Sequence, residues 1–515
     1  MVCVVLKNSL NTLGLPISLP LKKCVRRINL SASFTGVMPK LSPHDVNEIL
    51  RANEYTHEFQ NGSVKSYDSN QLASNNPIED TRSEGNCLLT EGLLVGVFDG
   101  HGGAGCAQVI GKRLLQYVAA CLVPPELLGA NVSRNNLDTA LLNSYNDKVQ
   151  FVNDIRSIYR DSLSRFIDDL VMHSRANDFK TSPGDYGEGK HFNMTKALET
   201  AFMRLDADIS YEALNLPSPR TLSVAMSGAV ACVAHVDGPH LHVANVGDAG
   251  AVLGVQTESG DWIAKKLSSE HNADNVSEVR RLLGEHPSNE RHTVIRQERL
   301  LGQLAPLRAL GDFRYKWPKE HILNCVDASL RGNILPPNYI TPPYLTARPE
   351  VIHHRLTPRD RFLVIASDGL WDTMTPHQAV KLVGEHMFGK AFLSPLKLPK
   401  KPMSLGTIAK LLAHRSTYKP QTQFIKQNLL RNISFTMEFI DCQNDILKGL
   451  MSKPLDRNAA THLIRNALGG TEYGLEHTKI SHYLSLPQDI VRLFRDDITI
   501  TVVYFDTEFL RVCPP

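Results

Sequence analysis

Short apolar runs rich in β-branched residues recur along the chain, each bounded by turn-forming or charged positions. They are LLVGVF at 93–98, GAVACVAHV at 228–236, LHVANV at 241–246, AVLGV at 251–255, RFLVIAS at 361–367 and ITITVVYF at 498–505. Runs of this length and content predict strands. HVDGPHLHV adds a hairpin, with Asp237-Gly238 between two strand patterns. Between the strands, apolar residues fall at three-to-four spacing in GCAQVIGKRLLQYVAACL after Gly103, in TKALETAFMRLDADISYEAL at 195–214 and in HQAVKLVGEHM at 377–387. That spacing predicts helices with one buried face. Strands gathered in hairpins alongside long helices predict a sandwich of antiparallel sheets covered by helices, rather than an alternating parallel fold.

The pattern fails in two places. Residues 389–455 open on KAFLSPLKLPKKPMSLG, where Pro, Lys and Gly break any period, and are read as an insertion or flap. Residues 1–44 hold Lys7, Lys22, Lys23, Arg26, Arg27 and Lys40 and no acid, with LKKCVRRINLSAS at 21–33. A basic, Ser-bearing, acid-free start is the composition of a mitochondrial targeting segment, which leaves 45–510 as the folded domain. Those six charges also turn the formal +3 of the 515-residue chain into −3 for the remainder. A body of that sign lacks the concentrated basic face that nucleic-acid binding needs. Nine scattered cysteines without a C-x-x-C suggest neither a disulfide framework nor a zinc site, and fit a reducing compartment. No uncharged apolar run of about 18 residues predicts a membrane span.

Composition bounds the problem; the strand ends carry the chemistry. LLVGVF runs straight into Asp99, RFLVIAS into Asp368, and Asp496-Asp497 stand directly before ITITVVYF, while NNPIED supplies Glu79 and Asp80. A buried strand end rejects an acid unless something neutralises it. Singly, each has an ordinary explanation: a DG pair is usually a turn, Glu79-Asp80 beside Arg82 fits a solvated loop, Asp496-Asp497 fits a strand cap, and His101 fits a polar turn. Jointly they point to a divalent cation, whose charge cancels the repulsion of carboxylates fixed by a rigid scaffold. An all-oxygen donor set favours Mg2+ or Mn2+ over Zn2+. Gly100, lacking a side chain, leaves its carbonyl uncrowded and able to join such a shell.

Six motifs in order, VFDGHGG at 97–103, SGAVACV at 227–233, ANVGDAGAVL at 244–253, PLRALGDF at 306–313, IASDGLWD at 365–372 and RDDITITVV at 495–503, closely resemble the metal-dependent protein serine/threonine phosphatases of the 2C type. The resemblance implies a four-layer α-β-β-α sandwich of two antiparallel sheets flanked by helices. It implies two Mg2+ or Mn2+ ions, with Asp99 bridging them, the Gly100 carbonyl on one, Asp368 and Asp496 on the other, and attack of a metal-bridging water on phosphorus. Glu79 and Asp80 then hold metal-bound waters, Asp248 belongs to a weaker third site, and His101 is the general acid. Asn75 occupies the phosphate-binding position, where many members carry arginine. GDSR is replaced by GDAG at 247–250, Val230 replaces the Thr of SGxTA, and about 420–453 has no counterpart in the family pattern.

Within that family, ILRANEY at 49–55, DSNQLASNNPIED at 68–80, PPNYITPPYLTARPEV at 336–351, NAATHLIRNALGG at 458–470 and LSLPQDIVRLFRDDITI at 484–500 resemble the pyruvate dehydrogenase phosphatase branch. This implies activation of the pyruvate dehydrogenase complex by dephosphorylation in the mitochondrial matrix. It also implies docking to the lipoyl domain of dihydrolipoamide acetyltransferase, strengthened by Ca2+, and association with a regulatory subunit. No D-x-D-x-D-G loop is present, so Ca2+ would need a shared site. Two alternatives stay open: a mitochondrial 2C phosphatase with another phosphoprotein substrate, and a catalytically silent scaffold. Retention of Asp99, Asp368 and Asp496 together argues against the scaffold.

Overall fold

The computed structural model describes residues 40–133, 135–145, 155–178, 193–325, 334–389, 455–471 and 474–513. Most of the expected leader and nearly all of the expected 389–455 insertion lie outside them. The strands are β1 (Tyr55–Glu58), β2 (Val64–Leu72), β3 (Thr81–Cys87), β4 (Leu93–His101), β5 (Leu142–Ser144), β6 (Gly228–Asp237), β7 (His240–Val246), β8 (Gly250–Gln256) and β9 (Trp262–Lys266), a short pair β10 (Ile295–Arg296) and β11 (Arg299–Leu300), then β12 (Leu310–Gly311), β13 (Glu350–Arg355), β14 (Asp360–Ala366), a second short pair β15 (Gly470–Thr471) and β16 (Gly474–Leu475), and β17 (Ile498–Phe505). One sheet runs β1-β2-β17-β14-β8-β9; the other runs β13-β7-β6-β4-β3-β5, with β12 added on β6. Neighbouring strands pair antiparallel in both.

Three hydrophobic cores make the layers. Val95, Val97, Val230 and Cys232 from the second sheet meet Ala251, Leu253, Leu363, Ile365 and Val503 from the first. The outer face of the second sheet, with Leu94, Phe98, Ala229 and Ala231, is covered by helices Gly105–Leu122, Arg156–Asp178 and Met194–Asn215. The outer face of the first, with Val364, Ile500 and Val502, is covered by Pro43–Arg51, Pro376–Met387, Ala459–Gly469 and His477–Leu484. Helix on sheet on sheet on helix is the expected four-layer sandwich. No described helix is long and apolar enough to cross a membrane, and the described cysteines are free.

Three details differ from the sequence pattern. β4 does not stop at Phe98, because Asp99, Gly100 and His101 continue the ladder opposite Val230, Ala229 and Gly228. The hairpin loop is Gly238-Pro239, one residue further on, since Asp237 pairs with His240 and Gly238 supplies the positive φ of 51°. β2 and β3 are buried strands although they read as polar: Asp68, Asn70, Arg82 and Glu84 are all buried, and the Arg82–Glu84 ion pair closes at 2.6 Å.

Antiparallel pairing fixes where the acids go. Register places the ends of β4 and β14 beside the starts of β6, β8 and β17, with Ala366 opposite both Gly250 and Ile500. The end of β2 lies against the start of β17, and the start of β3 against Phe98. The polar residues at all these ends therefore gather at one mouth of the sandwich.

Candidate active site at the mouth of the sandwich

The period of two along β4 puts Leu93, Val95 and Val97 on the face between the sheets, so Asp99 and His101 continue that face outward. Gly100 points the other way, and a Cβ there would fall 2.4 Å from the Glu79 carbonyl oxygen. Only glycine lets the 74–80 segment lie against β4. That segment is pinned by Asp497, whose carboxylate accepts the Ser74 and Asn75 backbone N–H groups at 2.5 and 2.8 Å, the Asn75 side-chain amide at 2.9 Å and the Glu79 N–H at 2.8 Å. Glu79 in turn accepts the Gly103 N–H at 2.7 Å, tying the segment to the turn after His101. On the other side, Asp368 opens a short helix over Asp368–Trp371. Gly369 behind it would put a Cβ 1.9 Å from the Asp497 carbonyl, and Ser367 exchanges backbone and side-chain bonds with Thr499.

The electrostatics follow from these placements. Burial and then the charges of Asp80, Asp368 and Asp248 push the Asp99 carboxyl well above the usual carboxylate range, with Asp368 close enough to share a hydrogen bond. Burial and the charges of Asp497 and Asp368 push Asp80 up to about 7, against the opposing hydroxyls of Ser367 and Thr499. One buried oxygen of Asp80 has no hydrogen-bond partner. Burial works against a charged His101, but Asp312, Asp248 and Glu79 outweigh it and raise its pKa. The structure thus brings Asp99, Asp80, Asp368, Asp248, Glu79 and His101 into one electrostatic neighbourhood.

Two residues are placed otherwise. Asp496 is half-buried, with its carboxylate engaged by Arg492 and by the Asp497 N–H; of the two adjacent acids it is Asp497 that is buried under the site. Asn75 spends its side-chain amide on Asp497 rather than presenting it outward. Asp497, expected only as the neighbour of Asp496 in the acid set, is the organiser of the 74–80 segment, and Asp312, given no role from the sequence, has its Oδ2 2.5 Å from His101 Nε2. Both sit inside motifs quoted above, RDDITITVV and PLRALGDF, and the signal for each was an acid beside a strand.

Among the described residues no group of three or more His, Cys, Asp or Glu side chains closes on a single point as it stands. The donor set nevertheless fits a hard divalent cation: carboxylates that repel one another, one oxygen left without a partner, and no sulfur or imidazole grouping. A protein phosphatase 2C model matches residues 125–404, more than half of the sequence. The chain belongs to the protein phosphatase 2C family. Members of this family are Mg2+- or Mn2+-dependent protein serine/threonine phosphatases, so the chain is a hydrolase of that class. This protein phosphatase 2C is 42% identical over 496 residues to pyruvate dehydrogenase (acetyl-transferring)-phosphatase 1, mitochondrial, of Homo sapiens, covering 91% of this chain and 83% of that protein. It is 40% identical over 491 residues to the corresponding phosphatase 2 of Homo sapiens, covering 91% and 84%. The crystal structure of serine-threonine phosphatase 2C from Toxoplasma gondii superposes with a TM-score of 0.39 at 16% identity, over 88% of this chain and 99% of that one.

Proposed function

We propose that this protein phosphatase 2C removes phosphate from phosphoserines of pyruvate dehydrogenase in the mitochondrial matrix and so activates the complex. The acid cluster supports the chemistry: buried carboxylates that face one another need an external charge, and Mg2+ or Mn2+ provides it. The names of the relatives, at 40–42% identity over most of both chains, support the substrate and the compartment.

In this reading Asp99, the Gly100 carbonyl, Asp368 and Asp496 would hold the ions, Asp496 after release from Arg492, and Glu79, Asp80 and Asp248 would hold water around them. When bound, such a pair supplies a water of lowered pKa and neutralises charge on the phosphoryl oxygens. His101, beside the cluster, gives its proton to the departing serine oxygen. Asn75 keeps the position of the family arginine but acts through Asp497, so it steadies the acids and leaves the phosphate to other groups. Docking to the lipoyl domain, its strengthening by Ca2+ and pairing with a regulatory subunit belong to the same reading.

The test compares dephosphorylation of the intact phosphorylated pyruvate dehydrogenase complex with that of an unrelated phosphoprotein, each with and without isolated lipoyl domain as competitor. Preference for the complex, lost on adding the competitor and abolished by EDTA, is expected. Equal rates on both substrates, unaffected by the competitor, contradict the substrate assignment.

A further inference from the structure

PLRALGDF is a family motif to which no chemical role has been given, and its acid meets the histidine of the site. His101 Nε2 and Asp312 Oδ2 are 2.5 Å apart. Asp312 is buried and held from three sides. Its own backbone adopts the left-handed region, φ 52° and ψ 38°, a conformation that an aspartate tolerates but seldom takes. Its N–H donates to the Ser227 carbonyl at 2.9 Å. The preceding Gly311, at φ 69°, donates to Asp206 Oδ1 at 2.8 Å, and both oxygens of Asp206 accept Lys316 Nζ at 2.8 Å. Beneath the pair lies Gly228, the cross-strand partner of His101; a Cβ there would fall 2.1 Å from Asp312 Oδ2 and 2.3 Å from His101 Nε2. A missing side chain on β6, a left-handed acid after β12 and a buried lysine-acid support converge on one contact. Backbone strain retained this close to a reacting centre is over-determined by its surroundings and points to a role there.

We propose that Asp312 is a positioning residue: it accepts the Nε2–H of His101 and thereby fixes the imidazole with Nδ1 turned to the leaving serine oxygen. This rests on the reading of His101 as the proton donor and adds which nitrogen gives the proton and what aims it. As the P–O bond breaks, its electron pair stays with the serine oxygen, which takes the Nδ1 proton. Water supplies the new oxygen on phosphorus and, over the turnover, one proton that restores the imidazolium. Asp312 stays a carboxylate throughout, holding tautomer and orientation as an acid behind a catalytic histidine does.

The experiment uses leaving groups of different quality. Nitrophenolate departs without a proton, whereas a serine alkoxide needs one, so Asp312→Asn lowers kcat on a phosphoserine peptide by about 10- to 100-fold with KM little changed, and lowers turnover of p-nitrophenyl phosphate about ten-fold less. His101→Gln shows the same split, and the double variant loses no more than His101→Gln alone. Gly228→Ala, which wedges the pair apart without removing either group, reproduces the split if Asp312→Asn fails to fold. On the unaltered chain, 15N NMR of histidine finds His101 protonated at Nε2. If His101→Gln shows the split and Asp312→Asn does not, the positioning role is wrong and the proton donor stands. If His101→Gln shows no split, both fall. A His101 found neutral with its proton on Nδ1 overturns the proposed geometry regardless of the variants.

Discussion

Buried acids occur in two parts of this molecule and are treated in opposite ways. In the helical wall over the second sheet, Glu212 accepts both arms of Arg113 at 2.7 and 2.9 Å and the Ser162 hydroxyl at 2.6 Å. Beside it Asp208 takes the Tyr117 hydroxyl at 2.7 Å and Arg204 at 3.1 Å. At the mouth of the sandwich the charges acting on Asp99 are those of Asp80, Asp368 and Asp248, and those acting on Asp80 are Asp497 and Asp368. The wall is a charge network that the chain completes with its own arginines, and its purpose is to hold helices together. The mouth is a network held rigid yet left short of positive charge, so its completion depends on a cation from solution. Burial alone therefore does not mark a functional acid; burial among other acids does.

Replacing one acid in each region separates the two most sharply. Asp99→Asn is expected to lower phosphatase activity by about 1,000-fold or more. The same change should raise the melting temperature in EDTA, because it relieves repulsion, and remove the rise in melting temperature that Mg2+ gives the unaltered protein. Both effects are read in one set of melting curves with and without metal, alongside turnover of p-nitrophenyl phosphate. A fall in melting temperature in EDTA would mean that Asp99 has a partner in the chain after all.

Breaking the wall should act on stability and not on metal. Arg113→Met leaves Glu212 buried without its cation and is expected to cost about 3–5 kcal/mol in urea unfolding. Replacing both, with Glu212→Leu added, should recover much of that. Metal affinity per folded molecule should be unchanged.

Asp497 joins the two styles, since it is buried and fully bonded but sits under the cluster. Asp497→Ala frees the 74–80 segment that carries Glu79 and Asp80, and is expected to weaken Mg2+ binding about 10- to 100-fold, as loss of a ligand's supporting group does. Calorimetric titration with Mg2+ measures this directly.

The smallest effect is expected from acid. His462, on the Ala459–Gly469 helix, faces His386 of the Pro376–Met387 helix, the two rings 5.1 Å apart. Burial, then the His386 charge, lowers it from 6.5 to about 4. The unfolded chain therefore binds a proton that the folded chain resists. The stability this represents is complete above pH 6.5 and drains away as pH falls toward 4. His462→Phe should flatten the pH dependence of the melting temperature over that window and leave the neutral value nearly unchanged.

How far the sequence reveals the fold depends on what each strand faces. ITITVVYF matches β17 residue for residue and GCAQVIGKRLLQYVAACL matches the Gly105–Leu122 helix, because both bury apolar side chains in plain periodic order. β2 and β3 escape the same reading because their inward positions are Asp68, Asn70, Arg82 and Glu84. Arg82 and Glu84 are tolerable because they pair with each other at 2.6 Å, while Asp68 and Asn70 rely on partners far along the chain: Asn70 bonds Thr461 at 2.7 Å and Asp68 accepts the Ala459 N–H at 2.8 Å. Asp99 and Asp368 are legible because an apolar run ending in an acid is already a physical anomaly. Which of Asp496 and Asp497 turns inward is not, since two equal neighbours differ only in the packing of the segment they meet. Asp312 is hidden for a similar reason: its importance comes from a left-handed turn and from the absence of a side chain at Gly228.

Anomalous scattering from crystals grown with Mn2+ tests most directly that the mouth acids are a cation centre. Two Mn2+ peaks about 3.5–4 Å apart, with the Asp99 carboxylate between them and Asp368 and Asp496 on one, are expected, and both should vanish in Asp99→Asn. No peak at millimolar Mn2+, or a peak remote from Asp99 and Asp368, would contradict it.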